Sequence, residues 1–249
     1  MITSKDNPRV RRWARLVRDA RLRRQERRAI VEGPHLVAQA RPLVLLVSES
    51  GRGRDEIRDL LGGREAVVLA DRLFRAMVDA ENPPGIAAEI EIPAPAAQIA
   101  APAVFLEGVQ DPANVGAILR SAAAFGVRSA VLDRACADPW SPKALRAAMG
   151  GHFALQLRET SALGEELQRF QGRVLCTVPR GGVMLSAADL SGPLGWLFGA
   201  EGSGVSPALQ AKAAQRVTIP TAPGTESINV AAAAAICFHA AFSRPGGGS

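Results

Sequence analysis

Two polar residues stand out near the middle of the chain, on a predicted helix that is otherwise apolar. Asn114 lies where this helix is expected to begin, and Arg120 interrupts the apolar stretches 115–119 and 122–124. An arginine among apolar residues requires an anionic partner, which is either a protein carboxylate or a substrate phosphate. Asn114 is either the capping residue of this helix or a ligand of the substrate. The pair therefore favours the binding of a phosphate or a nucleotide.

Two later segments also have residue types suited to a ligand site. The glycine-rich loop 199–204 contains Glu201, which either fixes the loop or binds a polar group of a ligand. Glycines there allow the backbone to approach a ligand closely. The loop is neither a Walker loop nor a dinucleotide fingerprint, because the further residues of those motifs are missing. Ser227 and Asn229 open an apolar terminal helix, and helix N-termini attract anions.

The elements that must position these residues alternate between apolar stretches and helical patterns, which predicts an α/β protein. Residues 1–92 are predicted to form a compact α/β/α domain, and 93–102, with three prolines and no charge, a linker. Residues 103–249 form a second α/β domain, whose uniformly apolar strands indicate a parallel sheet covered on both faces. Its predicted strands lie at 103–106, 129–132, 153–157, 174–178, 194–198 and 217–219, and its first and last helices at 114–125 and 228–242.

Positive charge is concentrated at the N-terminus. Residues 1–28 have 11 basic and 3 acidic side chains, whereas the other 221 residues have 19 basic and 21 acidic ones. A helix beginning at Asn7-Pro8 would expose many of these arginines. It is either a solvated surface helix or a nucleic-acid contact, and the RNA-binding candidates are Arg11, Arg12, Arg15 and Arg18.

Several classes of protein are excluded by composition. A hydrophobic share of 47 % excludes disorder as the main state. The longest apolar run, 230–242, is shorter than the roughly 20 residues of a membrane span, and no secretory signal is recognised. Three cysteines and three histidines lack the spacing of a disulfide framework or a metal site. We therefore expect a cytoplasmic protein with no metal and no membrane partner.

Taken together, the three segments resemble the SpoU/TrmH branch of the SPOUT RNA methyltransferases. The first family motif, Asn-x-Gly-x-x-x-Arg and then Phe-Gly, is matched by Asn114, Gly116, Arg120, Phe125 and Gly126. The second is matched by Gly199, Glu201, Gly202 and Gly204, and the third by Ile219, Pro220, Ser227, Ile228 and Asn229. Ile228 and Pro223 stand where the family usually has Leu and Gly. Residues 1–92 are similar to the ribosomal-protein-like substrate-binding domain of rRNA-modifying members.

The resemblance implies a trefoil-knotted C-terminal domain, S-adenosylmethionine as cofactor, and a homodimer with shared sites. The implied reaction is methyl transfer to a ribose 2′-hydroxyl of structured RNA. The N-terminal domain favours rRNA of the 23S type over tRNA. A catalytically silent RNA-binding assembly factor is the alternative from another class, and a small-molecule α/β enzyme would leave the basic N-terminus without a role.

The resemblance also assigns roles to residues. The implied catalytic set is Asn114, Arg120, Glu201, Ser227 and Asn229. We interpret Arg120 as a clamp on the phosphate beside the reacting hydroxyl, because a guanidinium is not deprotonated in proteins. Asn114 would hold the nucleotide or Arg120, Ser227 and Asn229 would position the hydroxyl and the methionine end of the cofactor, and Glu201 would brace the loops. The implied cofactor contacts are Thr177, Val178, Pro179, Gly199, Gly202, Ile219, Pro220 and Ile228.

Overall fold

A computed structural model describes residues 1–224 and 226–244. Its helices are α1 (Pro8–Arg18), α2 (Ala20–Glu26), α3 (Pro34–Gln39), α4 (Asp55–Leu61), α5 (Asp71–Met77), α6 (Pro112–Ala124), α7 (Pro142–Ala148), α8 (Leu163–Arg169), α9 (Pro207–Gln210) and α10 (Val230–Phe242). Its strands are β1 (Arg28–Glu32), β2 (Pro42–Ser48), β3 (Val67–Leu69), β4 (Ile86–Glu91), β5 (Ala103–Leu106), β6 (Ser129–Asp133), β7 (Gln156–Thr160), β8 (Arg173–Thr177), β9 (Val183–Met184), β10 (Leu194–Phe198) and β11 (Gln215–Thr218). No helix among the described residues is both long and apolar enough to cross a bilayer.

The chain divides into two compact units. The first contains residues 1–94 and 138–153, and the second contains 95–137 and the described part of 154–249. The segment 138–153, which includes α7, therefore lies in the first unit, whereas the sequence placed it in the second domain. Ion pairs explain this position: Arg23 contacts Asp138, and Arg146 contacts both Glu32 (3.2 Å) and Asp79 (2.6 Å).

The first unit is built on a four-stranded sheet in the order β1-β4-β2-β3. Strand β4 is antiparallel to β1 and β2, and β3 is parallel to β2. Helix α1 begins as predicted, with the Asn7 side chain accepting a hydrogen bond from Arg9 N (3.0 Å). Its Trp13 and Leu16 are buried in the core of this unit. The N-terminal helix is therefore an integral part of the first unit.

The second unit contains a seven-stranded sheet in the order β7-β6-β5-β10-β8-β11-β9. Every neighbouring pair is parallel, as the uniformly apolar strands predicted. The residues of β5 and β10 are all buried. Because the strands are parallel, the carboxyl ends of β5, β10, β8 and β11 lie along one edge of the sheet, and the candidate segments follow these four neighbouring strands.

Some predicted boundaries were wrong. The strand predicted at 153–157 is β7, at 156–160, because residues 151–153 form a turn of 3₁₀ helix. The helix predicted from Ile228 begins at Val230, and the short strand β9 was not predicted. The helix predicted from Asn114 begins two residues earlier, at Pro112. This last shift changes the role of Asn114.

Candidate active site

The centre of the candidate site is a chain of hydrogen bonds through three side chains. Asn114 Nδ2 donates to Glu201 Oε1, and Asn229 Nδ2 donates to Asn114 Oδ1 at 3.0 Å. One residue comes from each of the three segments that the sequence singled out, although 87 residues separate Asn114 from Glu201 and 115 separate it from Asn229. The fold therefore brings the three motifs together at their polar side chains.

Asn114 is not the N-cap of α6, contrary to one interpretation of the sequence. Asp111 occupies that position, and its Oδ1 accepts a hydrogen bond from Ala113 N at 3.0 Å. Pro112 follows at the first helical position, where its missing N–H has no cost. Because Asp111 satisfies the helix end, the amide of Asn114 is available for Glu201 and Asn229.

Asn229, by contrast, does cap its helix. Its Oδ1 accepts hydrogen bonds from Ala231 N (2.9 Å) and Ala232 N (3.2 Å) at the start of α10. Because both of these partners are donors, the amide atom that faces them must be the oxygen of Asn229. Its Nδ2 must therefore face Asn114. The same logic fixes the amide of Asn114, whose Oδ1 accepts from Asn229 and whose Nδ2 faces Glu201. The backbone of α10 thus sets the orientation of both amides.

Arg120 and Ser227 lie outside this hydrogen-bonded set. Arg120 is exposed on α6, and its guanidinium has neither a hydrogen bond nor an ion pair with any described residue. The described hydrogen bonds of the Asn114 side chain go to Glu201 and Asn229, and the expectation that it holds the nucleotide or Arg120 stays a prediction. Ser227 is exposed before the start of α10, also without a hydrogen bond among the described residues.

The glycine loop after β10 is shaped by its own backbone. Ala200 and Gly204 form an isolated antiparallel bridge, and a Cβ at Gly199 would overlap the backbone of Gly204. The sequence explained Gly199 by the space that a cofactor needs, but the structure shows that the loop itself requires glycine there. A Cβ at Gly202 would meet nothing within 4 Å, so Gly202 lies in open space.

Three further contacts, which sequence reasoning missed, hold the strand ends together. Thr218 Oγ1 accepts from Gly182 N (3.0 Å) and donates to Val178 O (3.1 Å), joining the ends of β11 and β8. Glu107, directly after β5, accepts from Ser206 N at 2.7 Å and so fixes the end of the glycine loop. The available signal was a polar residue at the end of each strand: Thr218 is the last residue of β11, and Glu107 directly follows β5.

The eight implied cofactor residues lie at this same edge. Thr177 ends β8, and Val178 and Pro179 follow it. Gly199 and Gly202 follow β10, Ile219 and Pro220 follow β11, and Ile228 precedes α10. Thr177 Oγ1 donates to Leu197 O (3.2 Å), which joins β8 to β10. Ile219 and Pro220 also border a largely apolar cavity of about 490 Å³ whose other walls include Leu185 and Ile236. Main-chain groups beside apolar side chains suit an adenosine, so these residues fit S-adenosylmethionine.

The cysteines and the metal-ligand residue types of the described chain bear on whether a thiol or a metal has a place in this site. The three cysteines are buried, and burial raises the pKa of both Cys136 and Cys176 to about 12, so these thiols are protonated at neutral pH. Among residues 1–224 and 226–244, no group of three or more His, Cys, Asp or Glu side chains is arranged to hold a metal ion.

The four RNA-binding candidates of the first unit differ in their surroundings. Arg12 binds the buried Glu89 through two hydrogen bonds (2.8 and 3.0 Å) and also Glu26 (2.7 Å), which raises the Arg12 pKa above its usual value. Arg18 donates to the carbonyl of Ala76. Arg15 lies 3.7 Å from Asp19, and Arg11 is exposed. Arg12 thus has an internal structural role that its position on a basic helix concealed.

Comparison with known proteins gives this architecture its class. Residues 101–239 match the SpoU rRNA methylase family, and residues 7–88 match the MRM3-like substrate binding domain. The chain is 32 % identical to the 23S rRNA (guanosine(2553)-2'-O)-methyltransferase RlmP of Bacillus subtilis, over 96 % of this chain and 97 % of that one. The fold and the site thus define an RNA methyltransferase with a separate substrate-binding domain.

Solved structures agree with this class. The SpoU methyltransferase AviRb from Streptomyces viridochromogenes, in complex with AdoMet, superposes with a TM-score of 0.84 at 25 % identity, covering 95 % of this chain and 97 % of that one. An AdoMet-bound rRNA methyltransferase from Sinorhizobium meliloti superposes with a TM-score of 0.80 at 25 % identity, covering 96 % of each chain. The chain belongs to the SpoU rRNA methylase family, which uses S-adenosylmethionine.

Proposed function

We propose that this protein methylates the 2′-hydroxyl of a guanosine ribose in 23S rRNA. The observation that carries the proposal is the hydrogen-bonded set of Glu201, Asn114 and Asn229 at the strand edge where the cofactor residues also lie. The name of the B. subtilis relative, which matches nearly the whole chain, supports both the guanosine and the large-subunit rRNA.

S-adenosylmethionine supplies an electrophilic methyl group, and its sulfur departs as a neutral thioether. The protein must therefore align the hydroxyl oxygen with that methyl group and favour loss of one proton to water. Each of the amides of Asn114 and Asn229 has a second N–H that is not used within the set, and these donors would orient the ribose. Ser227 would contribute a hydroxyl beside Asn229.

Arg120 would bind the phosphate next to the reacting ribose. It is exposed, it has no partner among the described residues, and a guanidinium pairs with phosphate through two parallel hydrogen bonds. Its positive charge near the hydroxyl would favour the alkoxide and so lower the barrier to methyl transfer. Glu201 would act as a positioning residue, because its described contact is with Asn114.

The proposal includes an assembly. We expect a homodimer that covers exposed apolar side chains of the second unit, among them Met184, Ile236 and Phe242. A trefoil knot in this unit is proposed from the resemblance to the family alone. We also propose the division into an RNA-binding domain (1–92), a linker (93–102) and a methyltransferase domain (103–249) whose segment 138–153 lies in the first compact unit. The proposed location is the cytoplasm, where ribosomes are made.

The test measures tritium transfer from labelled S-adenosylmethionine by the full chain. Two RNA substrates are supplied in separate reactions, a 23S rRNA transcript and a pool of tRNAs. We expect label in 23S rRNA only, and nuclease digestion should recover it as 2′-O-methylguanosine. Label in tRNA alone would refute 23S rRNA as the substrate and identify tRNA instead. Binding of the cofactor without label in either RNA would favour the silent assembly factor.

A further inference from the structure

The first unit has an open basic groove at one edge of its sheet. It has a volume of about 590 Å³ and is lined by Arg9, Arg41, Arg64, Glu65 and the largely apolar residues 42–45 and 66–67. Three guanidinium groups face one carboxylate there, so the lining has a net positive charge. All of these residues belong to the first unit, separate from the candidate active site.

The groove exists because two neighbouring strands have different lengths. Strand β3 begins at Val67, which pairs with Leu46 of β2. The first four residues of β2, 42–45, consequently extend beyond the start of β3 and have no partner in it. Because β3 does not extend along residues 42–45, a channel is left beside the edge of β2. The three arginines line this channel.

None of the three arginines of the groove forms an ion pair with a carboxylate among the described residues. Arg41 has no hydrogen bond or ion pair with any described residue. Arg64 donates to two carbonyls, Leu60 O and Leu61 O, and Arg9 lies 5.0 Å above the ring of buried Trp13. By contrast, carboxylates form ion pairs with other arginines of this unit, among them Arg12, Arg23, Arg28, Arg54, Arg58 and Arg146.

We infer that this groove binds the sugar–phosphate backbone of the RNA substrate, with Arg41, Arg64 and Arg9 as its phosphate contacts. Arginine presents a planar fork that matches phosphate. Backbone contacts of this kind position a protein on its nucleic acid without reading sequence. The inference rests on the proposed function, and it places the principal RNA contact at the edge of the sheet beside β2 and β3, with Arg9 of α1 next to it.

The test measures the dissociation constant of the full chain for an unmodified 23S rRNA transcript across a salt series, without S-adenosylmethionine. Arg41→Gln removes a side chain that has no described contact to lose. The double variant Arg41→Gln/Arg64→Gln removes two contacts. The matched control, Arg58→Gln/Arg169→Gln, removes the same charge from exposed helix surfaces outside the groove.

We expect Arg41→Gln to weaken RNA binding by about tenfold, because a charge-assisted hydrogen bond is lost. The double variant should lower the slope of log affinity against log salt by about 1.5, and the control should change neither quantity appreciably. Binding within twofold of wild type for the groove variants, or an equal loss for the control, would overturn the inference.

Two further outcomes separate this inference from the proposed function. Wild-type protein that binds the transcript but transfers no methyl group would refute the activity and leave the groove measurement intact. If the groove variants lose affinity for phosphatidylglycerol vesicles while their RNA affinity is unchanged, the groove is a membrane contact and the inference is wrong.

Discussion

Asn229 donates from Nδ2 to Asn114 Oδ1 at 3.0 Å while its own Oδ1 caps α10. One side chain thus serves both the stability of the terminal helix and the geometry of the candidate site. Substitutions that keep one role and remove the other can separate them.

Asn229→Ala should reduce the free energy of unfolding by about 1 kcal/mol, since a helix cap is lost, and should abolish most methyl transfer. Asn229→Asp should retain the cap and the stability, because aspartate caps as well as asparagine, yet lose activity. Urea unfolding and tritium incorporation measure the two effects. Full activity in Asn229→Asp would show that the amide donor to Asn114 is not needed.

Arg120→Ala should lower methyl transfer at least a hundredfold with little change in stability, because the side chain is exposed and has no partner among the described residues. Arg120→Lys should also be impaired, since an ammonium group cannot form the two parallel hydrogen bonds of a guanidinium. Calorimetry should show wild-type affinity for S-adenosylmethionine in both variants. Turnover near wild type in Arg120→Ala would remove this residue from the site.

Gly199→Ala and Gly202→Ala form a matched pair in one loop. The added methyl group overlaps the Gly204 backbone in the first case and meets nothing within 4 Å in the second. Gly199→Ala should therefore destabilise the protein by about 1–3 kcal/mol, whereas Gly202→Ala should unfold like wild type. Equal unfolding midpoints for the two variants would contradict this account of the loop.

Arg12→Ala and neighbouring Arg11→Ala compare a structural arginine with an exposed one. Loss of Arg12 leaves the buried carboxylate of Glu89 with fewer donors, and we expect a loss of about 2 kcal/mol in unfolding free energy. Arg11→Ala should change it by less than about 0.5 kcal/mol. Chemical denaturation of both variants checks this, and similar stabilities would show that the Arg12–Glu89 pair contributes little.

His152 should make stability depend on pH. Its ring is buried, Nε2 donates to Pro139 O at 2.6 Å, and Nδ1 has no partner among the described residues; burial lowers the His152 pKa from 6.5 to about 4. The unfolded chain binds a proton at His152 more readily than the folded protein does. The stability that this difference provides above pH 6.5 is therefore lost as the pH falls towards 4.

The contribution of His152 amounts to roughly 3 kcal/mol. His152→Gln keeps a donor for Pro139 O but cannot be protonated, so its stability should fall less between pH 7 and pH 4.5. The exposed His35, replaced by Gln, is the control. Parallel declines in wild type and His152→Gln would refute the assignment.

The sequence by itself determined the strands of the parallel sheet and the three motifs at their ends. Strands such as 103–106 and 194–198 were predicted with their observed bounds, because uniform apolar runs leave few alternatives. The cap at Asn7-Pro8 was likewise predictable, since capping depends on neighbouring residues alone. These features are local, and local sequence contains the information for them.

Only the tertiary structure decided which partner each polar residue takes. The hydrogen bond from Asn114 to Glu201 spans 87 residues, and the ion pairs that place 138–153 in the first unit link residues far apart in the chain. The same holds for Arg12. A count of charges assigns it to the surface, but its guanidinium binds Glu89, which lies on a strand far away in the sequence. Such pairings depend on strand order and loop closure, and no pattern of neighbouring residues encodes the distance between two segments.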